Sequence, residues 1–511
     1  MTKNIITRGE LSYTLIIGAF AISISSLSAA TYVGSDFCRF CHPAQYDQVT
    51  NSIHSKMIRT DAHLPGVIHG DLRKPNAPRL PETNAPTNDV HWVMGGWYKE
   101  ESYIRTNWNG SNITYTVTQF QWDPIKETYS NTQSLRDWLT KCAGCHTTGY
   151  NPTNRTFSEL NIKCEACHGP GSEHIQNPIF NKPVIDRSSE GCGFCHIRAE
   201  SVELGSFTNK QFNFPIGYVL GQPETLKFIP EPLSVAASFF PDGTSSRHRQ
   251  QYLDINYPGR TPTKHYQNGV SCVKCHNPHT AGIVSVYPDG LPAGEYGIKI
   301  YDNVNNKTNY VVWDGGRLWN PTNHINTTNY ASISASEICS TCHTDVDNHH
   351  VHKFNAAALA ANITCVDCHM PDVINVDSKT LRGALHPHTF NAMMPYNSLK
   401  YDPTRQPNSC TYRCHQGSGA NMLARAEWAD SIITLKLIPI VSANHIKLRL
   451  IGTPDYKYAV EASTDLINWT SISTNTSTQL IDYAPRWGFE LIDTNAASTQ
   501  FRFFRARKVN P

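Results

Sequence analysis

The chain has 511 residues and a formal net charge of +2, from 44 basic and 42 acidic side chains. This near balance does not support nucleic-acid binding, which depends on a strongly basic surface. Beyond the N-terminal segment, no run approaches the ~20 apolar residues of a transmembrane helix, so we expect no membrane span in the mature chain.

The N-terminal segment has the features of an export signal. Lys3 and Arg8 precede the apolar run TLIIGAFAI, and small residues then lead to Ala30. A basic region, a short apolar region and small residues before a cleavage point are typical of a secretory signal peptide. The apolar run is too short for a membrane anchor. We therefore interpret residues 1–30 as a signal peptide, and we expect a periplasmic, extracellular or cell-surface protein.

Cysteine motifs recur from residue 38 to residue 369. Seven cysteine pairs have two residues between them and a histidine directly after, as in CRFCH from Cys38 to His42. In an oxidising compartment, cysteines ordinarily form disulfides. The repeated C-x-x-C-H pattern is instead the attachment signature of c-type haem, in which both thiols form thioethers and the histidine is the proximal iron ligand. Seven copies favour haem over disulfides or zinc.

An eighth, altered copy follows at CTYRCH. Three residues separate Cys410 from Cys414, and His415 comes next. A disulfide between these cysteines is the alternative, but they are the two that the seven motifs leave over, and the order of thiols and histidine is unchanged. We interpret the segment as an eighth haem site with a widened loop, so the predicted cofactors are eight covalently bound haem c groups.

The predicted attachment residues follow directly from the motifs. The thioether cysteines are Cys38, Cys41, Cys142, Cys145, Cys164, Cys167, Cys192, Cys195, Cys272, Cys275, Cys339, Cys342, Cys365, Cys368, Cys410 and Cys414. The proximal iron ligands are His42, His146, His168, His196, His276, His343, His369 and His415.

The remaining histidines are numerous enough to supply a second ligand to most irons. The chain has 23 histidines, and eight are proximal, whereas it has only seven methionines. Because methionine ligation raises the reduction potential, mostly bis-histidine haems should have low potentials. The leading distal candidates are His54, His174, His265, His279, His352 and His388, followed by His248, His349, His350 and His386.

Two distal candidates lie close to a proximal histidine in sequence. His174 follows His168 by six residues, and His279 follows His276 by three. Such short spans cannot pass around a porphyrin to its opposite face. Pro170 and its flanking glycines also turn the chain sharply after His168. We therefore expect His174 to reach the iron of a neighbouring haem.

The spacing of the motifs predicts the architecture. About 47 residues accompany each haem, which is too few for an independent core, so the haems should form a shared core. We expect residues 31–430 to form a mostly α and irregular multihaem cytochrome fold organised around stacked haems. The Pro- and Asn-rich segment 64–89 is expected to be a surface loop. Aromatic alternation within 89–123 predicts a small hairpin.

Residues 431–511 differ in pattern and contain no cysteine. Segments such as SIITLKLIPIV, HIKLRLIG and FRFFRAR alternate apolar and polar residues between turn residues. This period of two indicates β-strands. We expect a small, separate all-β sandwich domain with an adhesive or positioning role and no haem ligand.

The motifs also carry a family resemblance over about residues 34–396. The segments CAGCHTTGY, FSELNIKCEACHGPGSEH, GVSCVKCHNPH and CVDCHMP resemble exported multihaem cytochromes of the cytochrome c-554 and hydroxylamine oxidoreductase-like group. The resemblance implies periplasmic or extracellular electron transfer, with some members acting as reductases or oxidases. The chain has no C-x-x-C-K motif, so the lysine-ligated active haem of related nitrite reductases has no counterpart. The tail resembles short C-terminal β-sandwich domains of secreted bacterial proteins.

Two functions remain open. In the first, every haem has two ligands, and the protein carries electrons between redox protein partners or along an assembly of its own copies. In the second, one haem keeps an open site, and the protein is an octahaem oxidoreductase acting on a small nitrogen or sulfur compound. The number of spare histidines favours the first. Two propionates on each haem would make the holoprotein acidic, so we expect partners that dock by complementary charge.

Overall fold

The structure is a computed structural model of the chain. It describes residues 30–62, 64–78, 90–97, 100–108, 113–124, 126–280, 284–287, 298–303, 305–313, 335–343, 363–374, 385–412, 414–415, 421–433, 436–442, 445–452, 457–477, 479–480, 487–494 and 502–509. Residues 1–29 of the predicted signal peptide lie outside these ranges, as do the distal candidates His349, His350 and His352. None of the helices in the described ranges has the length and apolar character needed to cross a membrane.

Short helices carry or flank most of the cysteine motifs. One helical turn places two cysteines three residues apart and the following histidine on neighbouring parts of its surface. The helices are α1 Ser35–Arg39, α2 Pro43–Asn51, α3 Trp138–Lys141, α4 Ala143–His146, α5 Cys164–His168, α6 Ser172–Gln176, α7 Ser189–Gly193, α8 Gln251–Ile255, α9 Lys264–Gln267, α10 Ala335–Ser340, α11 Cys365–His369, α12 Pro395–Tyr401 and α13 Met422–Ile433. Single 3₁₀ turns cover Ile53–Ser55, Pro223–Thr225 and Cys272–Lys274.

The sequence explains where motif helices start and stop. Helix α5 ends at Gly169, whose φ of 74° is a left-handed conformation that glycine adopts without strain. Pro170 follows and cannot continue a helix. Helix α11 begins with a capping box, in which the side chains of Thr364 and Asp367 satisfy each other's backbone N–H groups.

A six-stranded antiparallel sheet lies between the first and second motifs. Its strands are β1 Ile58–Arg59, β2 Val90–Gly95, β3 Glu101–Trp108, β4 Ile113–Asp123, β5 Thr128–Ser130 and β6 Arg136–Asp137. Strands β1 to β5 are neighbours in that order, and β6 pairs with β4. The predicted hairpin is present as β3 and β4, but it belongs to this larger sheet.

The two faces of this sheet bury different clusters. Tyr103 and Ile104 are consecutive in β3 and point to opposite faces, as the pleat requires. Ile104 packs with Trp138 and with Cys142 of the second motif, so one face supports a haem-attachment segment. Tyr103 packs on the other face with Trp122.

The surface-loop prediction for 64–89 is wrong at Ile68–Asp71. Ile68 and Asp71 are buried, and His69 is 1% exposed. The segment is drawn inward because Glu101, fully buried in β3, accepts hydrogen bonds from the backbone N–H of His69. Residues 79–89 of the predicted loop lie outside the described residues.

Small sheets connect the later motifs. Their strands are β7 Thr147–Thr148, β8 Glu159–Leu160, β9 Ala199–Glu200, β10 Ile229–Pro230, β11 Val284–Tyr287, β12 Ile298–Asp302 and β13 Lys307–Trp313. The first four form two separate antiparallel pairs, and the last three form a sheet with β13 in the centre. Tyr301 of β12 donates its backbone N–H to the His69 carbonyl, which joins this sheet to the first one.

The C-terminal region contains two antiparallel sheets. Its strands are β14 Lys436–Ser442, β15 His445–Gly452, β16 Lys457–Ser463, β17 Thr470–Thr476, β18 Gln479–Leu480, β19 Trp487–Asp493 and β20 Phe503–Val509. One sheet has the order β14-β15-β19-β18, and the other has the order β17-β16-β20. Leu448 and Phe489 of the first sheet share a buried cluster with Tyr458 and Val460 of the second. The described residues therefore combine short helices, irregular segments and small antiparallel sheets, and two further sheets follow the last helix.

Candidate haem-binding sites

The cysteine motifs share one backbone hydrogen bond. In four of the regular motifs the N–H of the histidine bonds to the carbonyl of the first cysteine, as from His42 to Cys38 at 2.8 Å and from His196 to Cys192 at 2.9 Å. The widened motif keeps the same bond, from the His415 N–H to the Cys410 carbonyl at 3.1 Å. The extra residue therefore turns an i→i+4 bond into the i→i+5 bond of a π-type turn. The backbone hydrogen bond between the histidine and the first cysteine is therefore preserved in the widened motif.

The structure places five proximal histidines opposite five of the distal candidates, with angles between the ring planes from 21° to 78°. The pairs, with the separations of their ring centroids, are His42 and His174 (6.3 Å), His54 and His196 (6.1 Å), His168 and His279 (6.2 Å), His265 and His343 (5.7 Å), and His276 and His388 (6.1 Å).

These separations fit bis-histidine iron. Two imidazoles bound to one metal ion at a metal–nitrogen distance of about 2 Å have ring centroids roughly 6 Å apart. Directly packed rings can be closer, as the 4.7 Å between the centroids of His415 and Trp428 illustrates. The five histidine pairs therefore have the spacing that a shared iron atom requires.

The pairing connects segments that are distant in sequence. His174 lies just after the third motif but faces His42 of the first. His279 lies just after the fifth motif but faces His168 of the third. In both cases the candidate faces a proximal histidine other than its sequence neighbour, which is the arrangement expected from their short spacings.

Backbone carbonyls orient several of these imidazoles. The Nδ1 atom of His174 lies 2.7 Å from the Asn181 carbonyl oxygen, and that of His168 lies 2.7 Å from the Val184 carbonyl oxygen. A carbonyl can only accept, so each Nδ1 donates, and the neutral ring keeps the Nε2 lone pair for a metal. This hydrogen bond also fixes the orientation of the ring.

Burial keeps other paired imidazoles neutral. Burial, followed by electrostatic repulsion from the facing His196, lowers the pKa of His54 to about 4. Burial likewise lowers the pKa of His276 to about 4, and burial followed by the effect of His276 lowers the pKa of His388 to about 3. Neutral imidazole is the form that binds iron.

The remaining candidates have other surroundings. The Nδ1 atom of His386 hydrogen-bonds to the carbonyl of Met370, directly after proximal His369, while the Nδ1 atom of His369 lies 3.1 Å from the Phe390 carbonyl oxygen. His248 lies in the half-buried segment that also contains Arg249.

His146 is the exception among the buried proximal histidines. Within the described ranges no imidazole ring faces it, and its Nδ1 atom is buried without a hydrogen-bond partner. Burial, followed by the positive charge of Arg249, lowers the pKa of His146 to about 4. An iron bound by His146 would lie near the side chain of Arg249. The irons of the five facing pairs would instead each have a second histidine.

Thiols of different motifs also lie near one another. The pKa of one thiol is changed by the other in the pairs Cys38 and Cys164, Cys145 and Cys195, Cys192 and Cys272, and Cys339 and Cys365. All sixteen cysteines are thiols in this structure, including Cys410 and Cys414. These interactions place motifs one and three, two and four, four and five, and six and seven next to one another.

Sequence reasoning missed Arg249 as part of the site. Its effect on His146 and His196 arises from packing between segments that are distant in sequence. The only local signal is the basic sequence RHR at 247–249.

Two comparisons with known proteins agree with this geometry. Residues 103–169, which include the second and third motifs, match the family model described as cytochrome c554 and c-prime. The chain also matches a solved structure described as "Crystal Structure of Outer Cell Wall Cytochrome OcwA", with a TM-score of 0.51 and 23% sequence identity over 78% of this chain and 86% of that chain. These findings support a multihaem c-type cytochrome. No curated protein matches the chain.

The matched family segment is the one that the first sheet supports. It runs from β3 through α5 and therefore contains the buried contact between Ile104, Trp138 and Cys142. The similarity to this family model therefore lies in the part of the fold where the six-stranded sheet packs against Cys142 of the second motif.

Proposed function

We propose that this chain is an exported octahaem c-type cytochrome that carries electrons, with most irons bound by two histidines. The observation that carries the proposal is the set of five facing histidine pairs, each with one member in a C-x-x-C-H motif and ring centroids 5.7–6.3 Å apart. Haem c supplies reversible one-electron chemistry at iron when it is bound, with low potentials under bis-histidine ligation.

The residues of the chain have distinct roles in this proposal. The sixteen cysteines attach the eight cofactors, and the eight motif histidines are proximal ligands. His54, His174, His265, His279 and His388 are the distal ligands that the facing pairs support. Carbonyl groups such as those of Asn181 and Val184 hold the imidazoles in the correct tautomer and orientation.

The contacts between motif thiols support short separations between cofactors. The Cys192 thiol interacts with that of Cys272, and the Cys195 thiol with that of Cys145, which supports second, fourth and fifth attachment sites that are neighbours in space. Close succession is what a carrier needs, because electron exchange between redox centres requires proximity. The electrons would enter from and leave to redox partner proteins or further copies of the chain.

Location and domain organisation complete the proposal. The description of the similar structure as an outer cell wall cytochrome supports an exported location. We assign residues 31–430 to the haem-binding domain and residues 431–511 to a β-sandwich domain for attachment or assembly. Helix α13 crosses this boundary and ends at Ile433.

Spectroscopy and haem quantification test the carrier proposal. Purified holoprotein should contain eight haems per chain, and its ferric EPR spectrum should be dominated by low-spin signals from bis-histidine iron. Potentiometric titration should give reduction steps at low potential. Fewer than five low-spin haems per chain would contradict the distal assignments.

The surroundings of His146 favour a second candidate function. Among the described residues no imidazole faces His146, and Arg249 is the charged group that acts on it. An iron without a second histidine could bind a small nitrogen or sulfur compound, so the chain would be an oxidoreductase at that site. A high-spin ferric EPR signal in the resting protein that disappears on addition of nitrite would support this function. An entirely low-spin spectrum would exclude it and leave the carrier.

A further inference from the structure

Three arginines lie close together beside the second and fourth motifs. The positive charges of Arg247 and Arg249 act on Arg198, so the three side chains lie near one another. Glu231 pairs with Arg198, with 2.8 Å between its carboxylate oxygen and the arginine Nε. Within the described part of the chain, no carboxylate forms an ion pair with Arg247 or Arg249. This arginine cluster therefore contains more positive than negative charge.

Packing places Arg249 at the junction of two motifs. Three residues later, Tyr252 donates its backbone N–H to the carbonyl of His196 at 3.1 Å, and its ring covers Gly193. The Cys145 thiol of the second motif reaches the Phe194 carbonyl of the fourth at 4.0 Å. Segment 249–252 thus lies against the fourth motif, at the point where the second motif touches it.

Several polar atoms in this segment are buried without a partner. These atoms are the Nε of Arg249 and both amide atoms of Gln250. The side chain of the neighbouring Gln251 interacts with His196. Gln250 has no exposed surface. A buried polar group without a hydrogen bond costs roughly 1–3 kcal/mol, and a buried charge costs more. The two donors, Arg249 Nε and Gln250 Nε2, therefore lack an acceptor, which an anion would supply, whereas the amide oxygen of Gln250 needs a donor.

The backbone at Arg249 is held in an uncommon conformation. Its φ is 63°, in the left-handed region that non-glycine residues seldom adopt. Residues in such conformations are retained where the surrounding structure fixes them, and these places are often ligand sites.

We propose that Arg249, together with Arg247 and Gln250, binds a carboxylate or another small oxyanion at the junction of the second and fourth motifs. The proposal rests on the proposed function, because the motifs supply the neighbouring iron sites. Guanidinium and amide donors match carboxylate and oxyanion geometry. The positive charge of Arg249 would stabilise the bound anion and favour the reduced state of nearby iron.

Two sources could provide this anion. One is a propionate of the haem attached at the second or fourth motif. The other is a free oxyanion from solution at the iron held by His146. Either anion would place negative charge against the Arg249 guanidinium. An added anion should change the optical spectrum only if the site binds a free oxyanion.

The test compares three variants of the holoprotein with the wild type. Arg249→Gln removes the charge, Arg249→Lys keeps it, and Arg260→Gln removes an exposed arginine whose side chain donates to the Gly243 carbonyl. Haem content, reduction potentials and the optical response to sodium nitrite are measured for each. Haem content reports on the proposed function independently, because a wild-type protein without eight haems would contradict that function whatever the variants do.

We expect one of two patterns. If the anion is a propionate, Arg249→Gln should lower the potential of one or two haems or lose one haem, without a nitrite response in any variant. If it is a free oxyanion, nitrite should bind to the wild type and bind roughly ten-fold or more weakly to Arg249→Gln. In both patterns Arg249→Lys should retain part of the wild-type behaviour, and Arg260→Gln should match the wild type. Equal behaviour of Arg249→Gln and Arg260→Gln, or equal loss in Arg249→Lys and Arg249→Gln, would overturn the proposal.

Discussion

At the scale of single residues, the spacing of imidazoles carries most of the functional argument. A histidine is common in many proteins, but five proximal histidines that each face another histidine at 5.7–6.3 Å form a specific arrangement. These centroid separations are larger than those of directly packed rings and match those of two imidazoles bound to one metal ion. The backbone carbonyls that accept from Nδ1 then leave Nε2 for iron.

His174 gives the sharpest test of this arrangement. Replacing His174 with alanine should open the iron held by His42 and leave the other haems unchanged, because among the described residues His42 is the proximal ring that His174 faces. We expect a new ferric high-spin EPR signal and a higher potential for one haem, while the haem content stays the same. His445→Ala is the matched control, since His445 lies in β15, after the last cysteine motif in sequence. A wholly low-spin spectrum for His174→Ala would contradict the assignment.

The widened motif gives a second test. Because the His415 N–H still bonds to the Cys410 carbonyl, we expect this segment to attach haem like the others. Pyridine haemochrome analysis against protein mass should give eight haems for the wild type and seven for Cys410→Ser with Cys414→Ser. Seven haems in the wild type, with a Cys410–Cys414 disulfide found by mass spectrometry, would show that the eighth site does not exist.

The sequence predicts attachment residues better than it predicts ligand pairs. A thioether site is local, because two cysteines and a histidine within one helical turn are enough. A distal ligand comes from a segment far away in sequence, so its partner depends on how the chain packs. The short spacing from His168 to His174 could exclude one partner but could not identify His42. Nor could it identify Arg249, whose neighbours lie in two other segments.

At the scale of secondary structure, the first sheet is the element that sequence patterns described least well. The pattern of 89–123 indicated a hairpin. The six strands of the sheet, and the contact of the sheet with Cys142, depend on residues before and after that segment. Segment 68–71 was predicted to be part of a surface loop from the Pro and Asn content around it, but Ile68 packs in the buried cluster of Tyr103 and Trp122. The buried carboxylate of Glu101 binds this backbone and also pairs with Arg59, with 2.7 Å between Nη2 and Oε2.

Glu101→Gln should strongly destabilise the first sheet. The side chain of Glu101 has no exposed surface, and it accepts from Arg59, the Tyr103 hydroxyl and the backbone of His69. Removing its charge leaves a buried arginine uncompensated, which typically costs about 3–5 kcal/mol. Thermal or denaturant unfolding followed by tryptophan fluorescence should register this loss.

A matched control is available in the C-terminal region. Glu490 also pairs with two cations, Lys447 and Arg449, but its side chain is 30% exposed. Glu490→Gln should therefore cost no more than about 1 kcal/mol. Similar losses for the two variants would mean that burial of the Arg59–Glu101 pair has no special effect.

At the scale of the whole molecule, helices and irregular segments are followed by a β-rich region without cysteines. A boundary at residue 431 is a prediction from the sequence, because the cysteine motifs stop at His415 and the hydrophobic period then changes to two. In the structure, helix α13 continues past this boundary to Ile433. Lys508 of β20 also lies 3.7 Å from Asp430 of this helix. The helix is thus in contact with the strands that follow it.

Removal of the residues after Ile433 should leave the haem properties unchanged. No proposed haem ligand lies in that region, and its buried cluster is made of its own strands. We expect the optical spectrum, haem content and potentials of the truncated protein to equal those of the full chain, while surface attachment or self-assembly changes. A drop in haem content on truncation would show that the two regions are not independent.

The facing histidine pairs also have a topological consequence. If each pair shares one iron, each iron closes a long loop of the chain, as a disulfide would. The loop from His42 to His174 overlaps the one from His54 to His196, and the loop from His168 to His279 overlaps both. Overlapping closures interlock, so a single protease cut in one exposed connection would not release a fragment. The nicked protein should migrate as one particle until the irons lose their ligands, and its resistance to mechanical and proteolytic damage would then be a property of its cofactors.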